Sequence, residues 1–485
     1  ARTVAADRGD RTAFAENGDR ALSRLSFTGE GELRLDDAGL VVKAGTAIAS
    51  VDSVFQGLSR LRELNLENGR YAQSYLSARS DTGLSARVFW NRFSTEHGNA
   101  GIVPNGIERG QLAEVRRADV VDVEVVYQND ISRGSIANTL IVGGGYRFKE
   151  VDWDWLLFDE DETVRTQHHG NAFLQNTLRY GTLLEVVLSG RIDRHPLLSQ
   201  PQLSPRGAVL VHPTEQQTVR LSAGTAFRAP TFVESYVNTP NGTPVRGITA
   251  LGVGNPNLDP ERILSFELGY LVQESEYFSV EANAYFNLVS DQIFLSDDRR
   301  FRLFAAATDP AAGYDPSNEA FALSELRWEN EPQDFEQLGG ELILRVFPVD
   351  GLDLYANYAI HETRPRTDEP FGGRELDDRT SAHKINVGAQ YRSPFGLDLS
   401  FDLSWVSPQV WVEQVLDTER GGVAFAAFEL PAYTVLNARI GYRVPRTGLE
   451  IALVGQNLVD EGHREHPFGQ PVETRYSGWV TYRLR

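Results

Sequence analysis

The residues best suited to metal chemistry include an acidic run of four residues, Asp159, Glu160, Asp161 and Glu162. Carboxylate oxygens are the ligands that Ca²⁺ prefers, so this run could hold a calcium ion. Blocks of like charge are more often solvated, and we favour a solvated acidic loop over a metal site. No cofactor is expected, with Ca²⁺ in the outer loops kept as the alternative.

The histidines offer weaker ligand sets. His168 and His169 are neighbours on a predicted strand, so their rings should point to opposite faces and not share one ion. His463 and Glu465 would share a face in an extended segment. Zinc sites use three or four ligands, so a structural role in a loop is the preferred interpretation of this pair.

No catalytic constellation stands out. Serine and histidine residues are scattered without a nucleophile elbow, and no phosphate-binding glycine motif joins a strand to a helix. The chain has no cysteine, which removes disulfides, thiolate metal sites and a cysteine nucleophile. Its formal net charge of −20 argues against a nucleic-acid partner. We therefore predict a protein that is not an enzyme.

Several segments alternate strictly between apolar and polar residues. In 397–405 every odd position is apolar and every even position is polar, and 383–392 and 352–361 show similar patterns. Such alternation predicts strands with one apolar and one polar face. Their length exceeds the ~5–6 residues common in soluble sheets and fits the ~9–11 residues that cross a bilayer at a tilt.

The connections between these segments fall into two alternating kinds. Nine short connections contain turn residues, one of them at Asn129–Arg133, and nine long ones separate them, which gives about nineteen strands. Membrane barrels combine short periplasmic turns with long extracellular loops in this way, whereas a soluble sandwich or propeller gives no reason for strict alternation. We predict an all-β fold, an antiparallel transmembrane β-barrel.

The predicted outer loops carry aromatic residues that could touch a ligand. Loops on a rigid scaffold often bind ligands, and aromatic side chains are common in binding sites. Packing of the loops against each other is the alternative. The candidates are Trp328, Trp411, Phe371 and Phe425.

A series of segments resembles the barrel of TonB-dependent outer-membrane receptors. The residues 227–231, Phe-Arg-Ala-Pro-Thr, are followed by the loop motif Asn255, Pro256, Asn257, Leu258, Asp259, Pro260 and Glu261. Other segments that agree in family order are 203–206, 285–293, 430–437 and 457–461. The resemblance is firmest from about residue 170 to the end of the sequence.

This resemblance implies a 22-stranded barrel, a size class whose lumen is plugged. It also implies a receptor in the bacterial outer membrane, in contact with lipid and lipopolysaccharide. Such a receptor binds a scarce nutrient (a siderophore, vitamin, metal complex or glycan). It imports the nutrient with energy from TonB, which acts through an N-terminal plug domain.

The sequence departs from the family pattern at its start. Residues 1–21 are expected to be an outer-loop or strand remnant and 22–485 the barrel, with no plug domain or TonB box in this chain. We hypothesise that these parts are removed or supplied by a partner chain. Two alternatives to an import receptor therefore stay open: a passive porin-like channel, and a barrel in a larger assembly completed by a partner.

Two arginines are candidates for the barrel interior. By parity, Arg220 and Arg228 lie opposite Leu221 and Phe227 and should face the lumen. The resemblance implies that they could pair with carboxylates of a plug, whereas solvation or bonds to neighbouring strands is the alternative. The proline-rich motif 255–261 is expected to shape the base of a loop and not to touch substrate.

Overall fold

The computed structural model describes residues 22–56, 63–99, 112–153, 164–242, 248–275, 277–295, 300–301, 314–315, 320–366, 379–417, 422–459, 462–467 and 471–483. The remnant predicted at 1–21 lies outside them. Nearly all described residues belong to β-strands. The described helical segments are the 3-10 helix Asp36–Ala38 and α1, Phe232–Tyr236.

Within these residues, one antiparallel sheet contains nineteen strands. Numbered along the chain, they are β1 (Leu22–Leu35), β2 (Leu40–Gln56), β3 (Glu63–Ser80), β4 (Leu84–Asn99), β5 (Leu112–Arg133), β6 (Ile136–Trp153), β7 (Val164–Tyr180), β8 (Leu184–Arg194), β9 (Gln202–Thr214), β10 (Gln217–Arg228), β13 (Glu261–Ser275), β14 (Phe278–Ser290), β19 (Phe335–Val349), β20 (Leu352–Pro365), β21 (His383–Arg392), β22 (Leu397–Val406), β25 (Tyr433–Arg443), β26 (Leu449–Gln456) and β27 (Arg475–Tyr482). The intervening numbers belong to strands of the long connections: β11 (Asn238–Gly242), β12 (Ile248–Val253), β15 (Ile293–Leu295), β16 (Arg300–Phe301), β17 (Tyr314–Asp315), β18 (Ala320–Asn330), β23 (Gln409–Asp417) and β24 (Gly422–Leu430).

The large sheet is an up-and-down meander. Each of its strands pairs antiparallel with the next sheet strand along the chain, as in β1 with β2, β10 with β13 and β26 with β27. In the described residues, β1 pairs with β2 alone and β27 with β26 alone. The predicted strand number and antiparallel order are confirmed.

The short connections all lie at one end of the sheet and the long ones at the other. Strands are longest near the start of the chain, with 18 residues in β3 and 22 in β5. These lengths exceed the ~9–11 residues needed to cross a bilayer, so such strands extend past a membrane. The sequence placed the turn after β5 at 129–133, but the strand continues through Arg133, because Gly134 with φ 59° supplies the left-handed turn residue.

Glycine is required at several turns by both conformation and space. Gly396, between β21 and β22, has φ 100°, and a Cβ there would lie 2.2 Å from the carbonyl oxygen of Arg443. The Gly396 carbonyl accepts a hydrogen bond of 2.8 Å from the Arg443 amide. The turn is thus hydrogen-bonded to Arg443, the last residue of β25. A side chain at position 396 would collide with the Arg443 backbone.

The two faces of the sheet differ in polarity. Large apolar side chains stand exposed on one face, including Leu188 (60% exposed), Leu221 (60%) and Leu453 (61%). The described part of the chain has few buried apolar residues, and four of them, Leu198, Val237, Leu258 and Leu430, lie in or at the long connections. An apolar surface this extensive is typical of contact with membrane or another protein. Among the described residues, no helix is long and apolar enough to span a membrane.

The long connections form sheets of their own. In the connection after β10, β12 pairs antiparallel with β11 and parallel with β18, which belongs to a later connection. β18 also pairs with β15, β16 and β17. A separate hairpin, β23 with β24, stands on the connection after β22. The loop end of the molecule is therefore built on backbone hydrogen bonds between loops distant in sequence.

Candidate functional site

Arg228 lies at the loop end of β10 and binds two carboxylates of this chain. Its Nη1 donates to both carboxylate oxygens of Glu234, at 3.0 and 2.9 Å. Its Nε and Nη2 form a second two-bond contact with Glu261, its partner in the ladder with β13. Such bidentate pairs fix geometry as well as charge. Arg228 therefore joins the ends of β10 and β13 to the segment between them, a contact with neighbouring strand groups.

The short helix α1 begins with a capping box. The Glu234 amide donates to Thr231 Oγ1 at 3.2 Å, and the Thr231 amide donates to Glu234 Oε2 at 2.7 Å. Glu234 is only 8% exposed, since Arg228 and the helix cover it. The spacing Thr-x-x-Glu at Thr231 and Glu234 is the sequence signal of this motif.

The motif 255–261 is hydrogen-bonded within itself and to a neighbouring loop. Asn255 Nδ2 donates to the Trp328 carbonyl at 3.1 Å, and Asn255 Oδ1 accepts from the Asn257 amide at 3.0 Å. Leu258 is 2% exposed and Pro260 is fully buried, whereas Pro256 is exposed. The motif thus anchors the loop by the hydrogen bonds of Asn255 and by the buried side chains of Leu258 and Pro260.

Asn330 connects this motif to the next long loop. Its Oδ1 accepts from the Asp259 amide at 2.8 Å, and its Nδ2 donates to the carbonyls of Asp259 and Asp291, at 3.0 and 2.8 Å. Glu261 adds a second link, because its Oε1 accepts from the Ile293 amide at 2.8 Å. We call Arg228, Glu234, Asn255, Glu261 and Asn330 the loop frame. Sequence reasoning missed Glu234 and Asn330, whose partners are set by long-range pairing.

Arg220 lies lower on the polar face of β10. Its Nη2 is 3.6 Å from Glu267 Oε2 on β13, and Ser222 Oγ donates to the same oxygen at 3.0 Å. Both arginines thus share the polar face, as their parity predicts. Pairing of either with a plug stays a prediction.

The loop aromatics have different surroundings. Trp411 Nε1 donates to Gln409 Oε1 at 3.0 Å, and its ring packs edge-on against His466 with centroids 4.6 Å apart. The Arg379 guanidinium lies 5.6 Å from the Trp411 ring centroid. Trp328 lies in β18 opposite Leu295 and is half-buried. Trp411 therefore packs three loop segments together and leaves part of its ring exposed.

The remaining candidates are only partly described. Asp159, Glu160, Asp161, Glu162 and Phe371 lie outside the described residues, and Phe425 is placed in β24 opposite Gln414 by its backbone. His463 stacks on Tyr433 with centroids 4.2 Å apart, and its Nε2 lies 3.3 Å from Glu465 Oε1. Within the described ranges, no group of three or more His, Cys, Asp or Glu side chains is arranged to hold a metal ion.

The chain is similar to several solved structures over nearly its whole length. It matches the siderophore receptor PirA from Acinetobacter baumannii with a TM-score of 0.70 and 15% identity, covering 95% of this chain and 71% of that one. The ferric enterobactin receptor PfeA from Pseudomonas aeruginosa gives a TM-score of 0.70 at 14% identity, covering 95% and 69%. At such identities, the likeness concerns the fold.

The chain also has a relative by sequence. The vitamin B12 transporter BtuB of Vibrio vulnificus (strain CMCP6) is 28% identical over 181 residues. That stretch covers 37% of this chain and 26% of the relative, so the match spans about a quarter of the relative's length. The family model described as TonB dependent receptor-like, beta-barrel matches residues 6–458. The chain therefore belongs to the TonB-dependent receptor β-barrel family, whose members lie in the bacterial outer membrane.

Proposed function

We propose that the protein is an outer-membrane receptor that binds a scarce nutrient at its loop end and imports it with energy from TonB. The nutrient is a siderophore, a vitamin, a metal complex or a glycan. The named relatives are receptors and a transporter, so the proposal assigns no reaction to the chain.

The observation that carries this proposal is the organised loop end. The loop frame ties two long connections to the ends of β10, β13 and β14 through charged and amide side chains. β18 adds backbone pairing to four other loop strands. Loops fixed in this way on a rigid sheet suit recognition of a ligand, whereas a passive pore needs only an open passage.

Aromatic and charged side chains lie close together at the loop end, which supports ligand binding there. Trp411 presents its indole between Arg379 and His466, and Trp328 lies beside the loop frame. Aromatic surfaces with a few fixed polar groups are the common composition of small-molecule sites.

Uptake in whole cells tests the proposal. Cells that express the protein would be given radioactive iron-loaded siderophores and radiolabelled vitamin B12 in parallel, with and without a protonophore. We expect accumulation of one probe that the protonophore abolishes and that deletion of TonB also abolishes. Accumulation that resists both treatments would overturn the energised mechanism and support a passive channel.

Binding separates capture from transport. Trp411→Ala should weaken cell-surface binding of the transported probe, while Tyr482→Ala on the apolar face of β27 should leave it unchanged. Equal binding by both variants and the parent protein would remove Trp411 from the site.

A further inference from the structure

Four polar residues gather on the polar face of β6, β7 and the connection after β8. Lys149 on β6 is the ladder partner of Gln167 on β7, so the two side chains leave the sheet side by side on one face. His169 follows two positions along β7 on the same face, and His195 comes directly after β8. We call Lys149, Gln167, His169 and His195 the Lys149 cluster. It lies near the strand ends that carry the long loops.

The Lys149 ammonium is not matched by a carboxylate. It is partly buried and forms no ion pair with any described residue. The nearby carboxylates are committed elsewhere: Asp122 accepts from Arg147 Nε at 2.7 Å, and Asp193 accepts from Arg191 Nη2 at 2.8 Å. A partly buried charge without a partner is costly, so we expect a negative group from outside the sheet to contact Lys149.

Gln167 presents a second unmatched donor. It is only 2% exposed, and its Oε1 lies 3.2 Å from His169 Nε2, which donates to it. Its Nε2 is buried and has no hydrogen-bond partner within the described part of the chain. Buried amide groups are almost always satisfied, and an exception points to a missing acceptor.

His195 adds a third donor through its fixed tautomer. The ring is 5% exposed and packs edge-on against His169, with centroids 4.7 Å apart. Its Nδ1 accepts a hydrogen bond from the Leu197 amide at 3.3 Å, so the proton of the neutral ring is on Nε2. That N–H is therefore a donor, like the Lys149 ammonium and the Gln167 amide.

We propose that Lys149, Gln167 and His195 form a binding site for an anionic oxygen group, a carboxylate or a phosphate, on the polar face of the sheet. An ammonium, an amide N–H and an imidazole N–H all require acceptors, and an oxyanion offers several lone pairs and a compensating negative charge. A metal cation is disfavoured there by the Lys149 charge. In barrels of this kind the polar face lines the interior, so the site would lie along the lumen wall.

The site does not depend on import, so it can be tested by binding alone. Purified protein in detergent micelles would be titrated calorimetrically with citrate and, separately, with inorganic phosphate. We expect saturable binding of at least one of them, weakened by added salt. Binding of citrate only assigns the site to carboxylates, and binding of phosphate only assigns it to phosphates. Saturable binding of neither would overturn the proposal.

Variants locate the binding within the cluster. Lys149→Met should weaken binding roughly tenfold or more, as for loss of a hydrogen bond to a charged group. Lys43→Met is the matched control, because Lys43 is an exposed lysine paired with Glu32 at 2.7 Å. Equal loss in both variants, or no loss in Lys149→Met, would contradict the assignment.

A second variant guards against misfolding. Gln167→Glu is nearly isosteric and places a carboxylate beside Lys149, which should neutralise the ammonium from within the chain. We expect this variant to fold, shown by the parent's strand signal in circular dichroism, and to lose anion binding. A folded Gln167→Glu protein that binds either anion as the parent does would also overturn the proposal. That result would leave the proposed receptor function untouched, because import is tested separately by uptake of labelled nutrients in whole cells.

Discussion

At the scale of single residues, the polar groups at the loop end are arranged mostly as structural links. Arg228 has its four hydrogen bonds directed to two carboxylates of its own chain, and these also hold the helix cap and the Ile293 amide. A residue so committed can position a ligand-binding loop without touching the ligand. Its interior-facing parity was readable from the sequence, but its partners depend on a helix inside a long loop.

Replacing Arg228 by methionine should destabilise the folded protein. The change leaves Glu234 and Glu261 without their cation, at an expected cost of about 2 kcal/mol in the free energy of unfolding. Urea unfolding, followed by the heat-modifiable mobility shift on gels, measures it. The control is Arg364→Met, whose pair with Glu362 is well exposed on both sides (66% and 52%) and should contribute little. A smaller effect at Arg228 than at Arg364 would contradict the loop frame.

His195 should stay uncharged well below neutral pH. Burial, together with the nearby Lys149 ammonium, lowers the pKa of His195 to about 4. His169 packs against the same ring, and the charged group that acts on it is the Lys149 ammonium, which disfavours the proton. Because the folded state has the lower pKa, this group supports folding above about pH 6.5, and the support is lost as pH falls toward 4.

Titration of labelled histidine side chains by NMR checks this value. The His195 resonance should show no midpoint above about pH 5, whereas exposed histidines of an unfolded reference peptide titrate near 6.5. A His195 midpoint at the reference value would show that the ring is exposed to water and would weaken the cluster proposed around Lys149.

At the scale of elements, the strands were predictable and the loop structure was not. Alternation in 352–361, 383–392 and 397–405 reports the two faces directly, and the strands β20, β21 and β22 fall there. The parallel pairing of β12 with β18 joins segments about seventy residues apart and leaves no periodic signal. The end of β5 was missed because Asn129 and Asp130, which are turn residues by composition, sit in a strand whose turn is made by Gly134.

The short turns should differ in their tolerance of alanine. Gly396→Ala combines a φ of 100° with a Cβ only 2.2 Å from the Arg443 carbonyl oxygen, so the turn must move. Gly134→Ala also has positive φ (59°), but nothing lies within 4 Å of its Cβ. We expect a cost of about 1–2 kcal/mol for Gly134→Ala and a larger loss for Gly396→Ala. Thermal unfolding in micelles compares the two, and equal melting temperatures would show that contact with Arg443 does not matter.

At the scale of the whole molecule, the distribution of polarity is that of a membrane barrel. Apolar side chains that a soluble protein would bury are exposed on one face, while ion pairs such as Arg147 with Asp122 cover the other. Buried apolar residues are concentrated at the loop end, where loops pack against each other. The sheet therefore gains its stability from backbone ladders and lipid contact, since within the described residues it has little apolar core of its own.

Adjacent positions on β8 should therefore meet different surroundings in a bilayer. Leu188 is 60% exposed on the apolar face, and Ser189 faces the polar side of the same strand. The chain has no cysteine, so Leu188→Cys and Ser189→Cys can each carry a single nitroxide label. In lipid vesicles, the label at 188 should collide often with oxygen and rarely with a water-soluble nickel complex, because oxygen concentrates in hydrocarbon. The label at 189 should show the reverse preference. The same preference at both positions would mean that β8 does not separate lipid from a polar interior, and the orientation assigned to every strand paired to it, including the face that carries Lys149, would have to be reversed or abandoned.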